Sequence, residues 1–340
     1  MAYTTIKKPS DYFNTKLYTG NGSTQSITGV GFQPDWTWIK NRSIVADHKE
    51  FDAVRGVTNA LITNSTSAEF SQSGLDSFDS DGFTVGSHVG CNGSGNNIVS
   101  WNWLASNTTA SNTDGSTTST VSANTTSGFS VGTYTGTGAS ATIGHGLGTS
   151  PSMVIIKRTD AIENWRVHHV GLTGLTYRVT LDADNAEYNE TTSGLQSWNS
   201  STFTLGSGGS YNVSGGSFVF YAFSAKQGFS KFGSYIGNGS TDGTFIYTGF
   251  KPAFLLLKRT DSAADWFMHD NKRNGFNPDN DYLQSNTDAF ETNFDGLIDF
   301  TSNGFKIRTT STAYNASGGT YIYMAFAEEP LVGDNPATAR

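Results

Sequence analysis

Apolar and aromatic side chains along this chain are gathered into runs of roughly five to eight residues, separated by Gly, Asn and Ser. Some runs alternate, as in Trp36-Thr-Trp38 and Trp101-Asn-Trp103, and others are apolar throughout, as in Phe254-Leu-Leu-Leu257 and Tyr321 to Ala327. A period of two puts alternate side chains on one face of a strand, so each tryptophan pair shares a face. Short aromatic-rich runs bounded by turn residues predict an all-β protein.

Four landmarks recur three times in the same order. A strand enters a glycine turn at Tyr18-Thr-Gly20-Asn-Gly22, Tyr134-Thr-Gly136-Thr-Gly138 and Tyr235-Ile-Gly237-Asn-Gly239. Proline then opens an apolar strand with a basic end, at Pro34 to Lys40 and Arg42, Pro151 to Lys157 and Arg158, and Pro252 to Lys258 and Arg259. The third landmark is Leu75 with Phe83, Leu195 with Phe203 and Leu297 with Phe305, at an identical offset. The fourth is a closing strand around Trp101, Tyr221 and Met324, each preceded by a glycine turn. An internal repeat of this kind implies tandem copies of one structural unit.

The repeat divides the chain into an arm at 1–14, a first unit at 15–106, a linker at 107–124, a second unit at 125–227, a third at 228–330 and a tail at 331–340. Apolar first and last strands are expected side by side in one sheet, and units of this length with short strands suggest three tandem jelly-roll-like β-sandwiches of the lectin or glucanase kind. The linker assignment rests on Ser106 to Asn124, which holds almost no large apolar residue. It predicts that units two and three are held to each other more rigidly than unit one is to unit two. Met1 to Asn14 reads as a docking arm or as an edge strand of the first unit.

Composition then narrows the function classes. The 340 residues include 39 Gly and only 15% charged residues, against about 25% typically, while 13% aromatics argue for a folded chain. Net charge is −8 and no Lys/Arg cluster occurs, so nucleic acid is not an expected partner. Cys91 is the single cysteine, which excludes an intrachain disulfide. Neither a secretory leader nor a run long enough to span a bilayer is apparent, so no membrane insertion is expected. The surface chemistry nevertheless looks extracellular, which suits a part made in the cytosol and released by lysis.

Candidate chemistry is sparse. Glu50-Phe-Asp52-Ala-Val-Arg55 partly resembles the Glu-x-Asp-x-x-Glu strand of retaining β-glucanases, whose two carboxylates flank the sugar. Arg55 stands where the acid would be, and units two and three carry Val167-His168 and Met268-His269 near that place. His168, His169 and His269 follow Trp165 and Trp266 at matching positions, beside polar loops. Trp165, Trp266, His168 and His269 are therefore the candidate glycan-binding residues, with indole faces stacking on sugar. Acidic groups at Asp79/Asp81, Asp182/Asp184/Glu187 and Asp279/Asp281 could hold calcium, although none has EF-hand spacing and turn-forming carboxylates explain them as well. No other cofactor is expected.

The landmark set resembles a repeated domain of bacteriophage virion proteins, notably tail and fibre proteins of aquatic phages. The carrying residues are Tyr18 to Ser23, Phe32 to Arg42, Asp52 to Gly56, Asp79 to Phe83 and Trp101 to Trp103. Unit one matches best, and units two and three are read as lacking the Asp-x-x-Arg-Gly element. The resemblance implies a homo-oligomeric, trimeric virion protein, located on the particle, that partners other virion proteins and contacts host surface glycan as a tail-fibre or receptor-binding component. A capsid decoration or connector protein is the second expectation, and a polysaccharide depolymerase using Glu50 and Asp52 the third.

Overall fold

The computed structural model describes residues 3–333 and 336–338. The apolar runs form strands and the Gly/Asn/Ser segments turn between them. In unit one these are β1 (Phe13–Thr19), β2 (Gln25–Thr28), β3 (Trp36–Asn41), β4 (Lys49–Asp52), β5 (Asn59–Ala60), β6 (Phe70–Ser71), β7 (Leu75–Asp79), β8 (Gly82–Val85), the short helix α1 (Val89–Asn92) and β9 (Asn97–Trp103). Unit two holds β10 (Ala110–Asn112), β11 (Ser119–Asn124), β12 (Phe129–Thr135), β13 (Ala141–Gly144), β14 (Met153–Arg158), β15 (Arg166–His169), β16 (Tyr177–Thr180), β17 (Tyr188–Asn189), β18 (Leu195–Trp198), β19 (Thr202–Leu205), α2 (Gly209–Asn212) and β20 (Ser217–Phe223). Unit three holds β21 (Ser230–Ile236), β22 (Phe245–Tyr247), β23 (Phe250–Arg259), β24 (Trp266–Asp270), β25 (Asp279–Gln284), β26 (Thr292–Thr301), β27 (Gly304–Ile307), α3 (Thr312–Asn315) and β28 (Thr320–Pro330).

Each unit is a two-layer antiparallel sandwich. One layer is β1-β9-β3-β4 in unit one and β10-β11-β12-β20-β14-β15-β16-β17 in unit two; the facing layers are β2-β8-β7 and β13-β19-β18. In unit three the long β26 pairs with β25 and then with β27, so one eight-stranded sheet, β21-β28-β23-β24-β25-β26-β27-β22, supplies both layers. First and last strands pair as expected: Tyr18 faces Ile98, Tyr134 faces Phe218 and Tyr235 faces Tyr321.

The first landmark has a local task. The hydroxyls of Tyr18, Tyr134 and Tyr235 donate to the carbonyls of Cys91, Tyr211 and Tyr314 in the three short helices. The next helix residue is asparagine in every unit, and its amide nitrogen bonds the turn carbonyls of Ser23, Ala139 and Ser240. Gly22, Gly138 and Gly239 hold φ near +75°, +77° and +69°, which a side chain would resist.

The central strands of the larger layers are buried on both faces, and their side chains divide by parity. In β20, Phe218, Phe220 and Ala222 fill the second sandwich, whereas Val219, Tyr221 and Phe223 point the other way. In β28, Tyr321, Tyr323 and Ala325 fill the third sandwich while Ile322, Met324 and Phe326 point away. The outward sets of all three units, with Trp36, Trp38, Trp101 and Trp103 of unit one, meet in one central core. Trp36 stacks on Tyr221 at 4.5 Å, Phe13 on Phe326 at 4.9 Å, and Phe223 packs on Phe232 at 5.7 Å, so every unit touches both others. The apolar faces that three separate sandwiches would have to bury against partners are buried here within one chain.

Three sequence expectations change. Residues 107–124 are not a free linker: β10 and β11 extend the second unit's sheet, because a polar segment can add an edge strand through its backbone alone. Its inner edge is pinned by buried Asp35, which accepts from the Ala105 N–H and the Ser122 hydroxyl, each at 2.7 Å. Unit one is consequently fixed to unit two as well as to unit three. Residues 3–12 pack back onto the body, with Ile6 in the central core and the Tyr3 hydroxyl on the Gly249 carbonyl. In the 331–340 tail, residues 334, 335, 339 and 340 lie outside the described residues, and the Ala337 N–H bonds the Pro330 carbonyl.

Candidate functional site

The contacts between units repeat three times and close on themselves, one to two, two to three and three to one. The Glu69 N–H donates to the Thr159 carbonyl, Glu187 N–H to Thr260 and Glu291 N–H to Arg42, at 2.8, 2.8 and 3.1 Å. Returning bonds run from Glu163 N–H to the Thr66 carbonyl, Ala264 to Asp184 and Ala46 to Asp288. This is a heterologous contact that closes as a ring, a pseudo-threefold arrangement made by one chain.

The basic end of the second landmark locks each seam. Lys157 donates to Thr66 O at 2.9 Å and to Glu163 O, Lys258 to Asp184 O at 3.0 Å and to Ala264 O at 2.8 Å, and Lys40 to Asp288 O at 2.9 Å and to Ala46 O. All three lysines are fully buried. Burial pulls each ammonium pKa down to about 8, against nearby carboxylates such as Asp288, Asp182 and Asp184 that hold it up. At neutral pH they remain mostly charged donors.

Asp52 and Arg55 sit at the seam between units one and two. Arg55 Nε bonds Asp52 Oδ2 at 2.6 Å, its Nη1 bonds Glu69 at 2.8 Å, and the Tyr221 hydroxyl of unit two donates to Asp52 at 2.8 Å. The same device occurs in unit three, where the sequence reading found the element missing. Arg273 bonds Asp270 at 2.5 Å and Glu291 at 2.9 Å, and the Trp101 indole N–H of unit one donates to Asp270 at 3.1 Å. Asp270-Asn-Lys-Arg273 is the missed signal, its Asp-x-x-Arg spacing intact and its glycine displaced by Asn274. Desolvation opposes Asp270's charge but the Arg273 guanidinium outweighs it and holds the carboxyl low. His169 occupies the equivalent place in unit two. Its Nδ1 accepts from the Gly171 N–H, so Nε2 carries the proton to the Tyr323 carbonyl of unit three, at 3.1 Å.

The candidate glycan residues lie elsewhere than on the surface. Trp165, His168 and His269 expose nothing and Trp266 exposes 1%. Trp165 donates its indole N–H to the Ile62 carbonyl of unit one, and Trp266 donates to Thr180 of unit two, each at 2.8 Å. His48, the matching residue of unit one, lies 3.0 Å from the Gln284 carbonyl of unit three. His168 and His269 are inside their own sandwiches, bonded to the Tyr211 and Tyr314 hydroxyls. A polar loop beside a tryptophan says nothing of a neighbouring unit packed on top, which is why the expectation of exposed rings fails.

Glu50 is also buried, accepting from the Trp36 indole, and desolvation raises its carboxyl well above the ordinary range. The Asp81 carboxylate accepts the Gly29 and Gly31 N–H groups, Asp79 accepts Ser77 and Thr84, and Asp182 accepts Asn164 and the Trp165 N–H. Among the described residues no three His, Cys, Asp or Glu side chains are grouped to hold a metal ion. Cys91 is a buried free thiol, its pKa pushed up to about 12 by burial. No helix among the described residues is long and apolar enough to cross a membrane.

Fold and seams together define an all-β protein of three tandem sandwiches closed into a pseudo-threefold ring. The chain belongs to a family described as a domain of unknown function (DUF7483), whose model matches residues 8–330. That single stretch runs from the N-terminal turn to the end of β28, so the family's unit is the whole ring and not one sandwich. No curated protein and no solved structure matches the chain.

Proposed function

We propose that this chain is a structural component of a bacteriophage virion, a tail-fibre or receptor-binding protein that holds host surface glycan without cutting it. The supporting observation is a ring of three sandwiches locked without any disulfide, by a common core and three buried polar seams, in a chain whose landmarks resemble those of phage virion proteins. Such a part keeps its shape outside the cell, and weak sugar contacts multiply when rigid copies are displayed together. Its partners in this reading are other virion proteins, further copies of itself and host polysaccharide. The depolymerase alternative loses its carboxylate pair to the interior, since Glu50 and Asp52 are both fully buried.

Capsid decoration is the second reading, and the pseudo-threefold ring favours it: one chain presents three related faces to a local threefold position on a shell. Immunogold labelling of intact particles with antibody to this protein separates the two. Label along the tail supports the adsorption reading, label over the head supports decoration, and particles that carry no label defeat both.

A further inference from the structure

The seam between units one and two opens into a polar cleft of about 380 Å³. Its floor is the outward face of the second unit's sheet. Thr120 faces Thr133 across β11 and β12, Thr135 faces Ser217 of β20, whose carbonyl takes the Thr159 N–H, and Thr118, just before β11, lines the same cleft. Its wall is Arg55, Asn59 and Glu69 of unit one. The hydroxyls of Thr118, Thr120, Thr133 and Thr135 make no hydrogen bond within the described residues.

We infer that this cleft binds a neutral saccharide, an inference that rests on the glycan-contact reading above and gives it a place. Three adjacent strands, β11, β12 and β20, spaced about 4.8 Å apart, present hydroxyls that both donate and accept, and that spacing approximates the span across a pyranose ring; beside them the Thr159 hydroxyl donates to the Ser217 carbonyl and can still accept. Glu69 keeps Oε1 free at the lip, because only Oε2 takes the Arg55 bond. The cleft has no cation to offer an acidic sugar: Arg55 is committed to Asp52, Glu69, the Asn59 carbonyl and the Tyr221 hydroxyl.

The other seams cannot repeat the floor. Among the described residues no strand like β11 borders β1 or β21, and Leu17 and Ile236 interrupt the hydroxyl pattern in units one and three. At the seam from three to one, Arg42 takes the place of Thr159 and is closed onto Glu291 at 2.6 Å. Thr260, the counterpart in unit three, is paired with Thr320 at 2.8 Å.

The test is methyl NMR on the full chain carrying labelled threonine methyls, titrated to high millimolar concentration with the methyl glycosides of glucose, galactose and mannose, and separately with inorganic phosphate. Shifts for one glycoside confined to Thr118, Thr120, Thr133, Thr135 and Thr159, and lost in Thr120→Val/Thr133→Val, support the site. These valines conserve shape on an open face, and an unchanged methyl spectrum away from the cleft confirms the fold. No shift with any glycoside, shifts centred elsewhere, survival of the shifts in the valine variant, or a response to phosphate alone each overturns it. If the protein labels phage tails and binds whole cells while the cleft methyls stay silent, the site falls and the functional reading stands.

Discussion

Lysine is the residue that closes each seam, and its chemistry suits the place. A four-carbon stem reaches across the boundary, and one ammonium donates both to a carbonyl that already accepts a backbone N–H, such as Thr66, and to one in its own unit, such as Glu163. Replacing Lys157 by methionine fills the space but leaves the Glu163 carbonyl without its partner. We expect a loss of about 1–3 kcal/mol, read as a lower midpoint in chemical denaturation; an unchanged midpoint would show that water replaces the ammonium. His169 is one of several buried histidines that give a pH dependence. Burial lowers its pKa to about 4, below the ordinary 6.5, so between those values the unfolded chain takes up the proton and the folded one does not. Its contribution is complete above pH 6.5 and is lost as pH falls toward 4, on the order of 3 kcal/mol. His169→Gln retains a donor for the Tyr323 carbonyl and removes the titration, so its stability should fall less steeply over that window than that of the parent.

At the scale of elements, the strands of the sandwiches were legible because aromatic runs between glycine turns have few other ways to fold. Leu75, Phe83, Leu195 and Phe203 are in the sandwich cores, where their repeated spacing puts them. The β10–β11 hairpin was not legible: it pairs with neighbouring β12 through backbone groups, which leave no side-chain pattern, and with the carboxylate of Asp35, distant in sequence. Asp35→Ala should release this hairpin while leaving the sandwiches intact. Amide hydrogen exchange should accelerate through 105–124, by tenfold or so for each 1.4 kcal/mol of local stability lost, and change little in β14 or β23. Uniform acceleration across all three units would instead mean that Asp35 supports the whole ring.

For the whole molecule, the central core makes the units interdependent. Trp36 alone packs against Trp38 and Trp103 of its own unit and Phe129, Tyr221 and Phe223 of the next. Calorimetry should therefore show one unfolding transition for the chain, with equal calorimetric and van't Hoff enthalpies, and Trp36→Ala should lower that single transition by about 3–5 kcal/mol of stability. Three separable transitions would disprove the shared core. The sequence by itself determined the strands of the repeated landmarks, the three-fold repeat and the all-β class, because period, turn residues and repeated spacing are local properties of the chain. Whether Trp165 and Trp266 meet water or a neighbour, that Asp270 and Arg273 copy Asp52 and Arg55, and that Lys40, Lys157 and Lys258 face carbonyls of another unit were decided only by tertiary structure. A strand's pattern states which faces are apolar, and the docking of the three units decides what covers them.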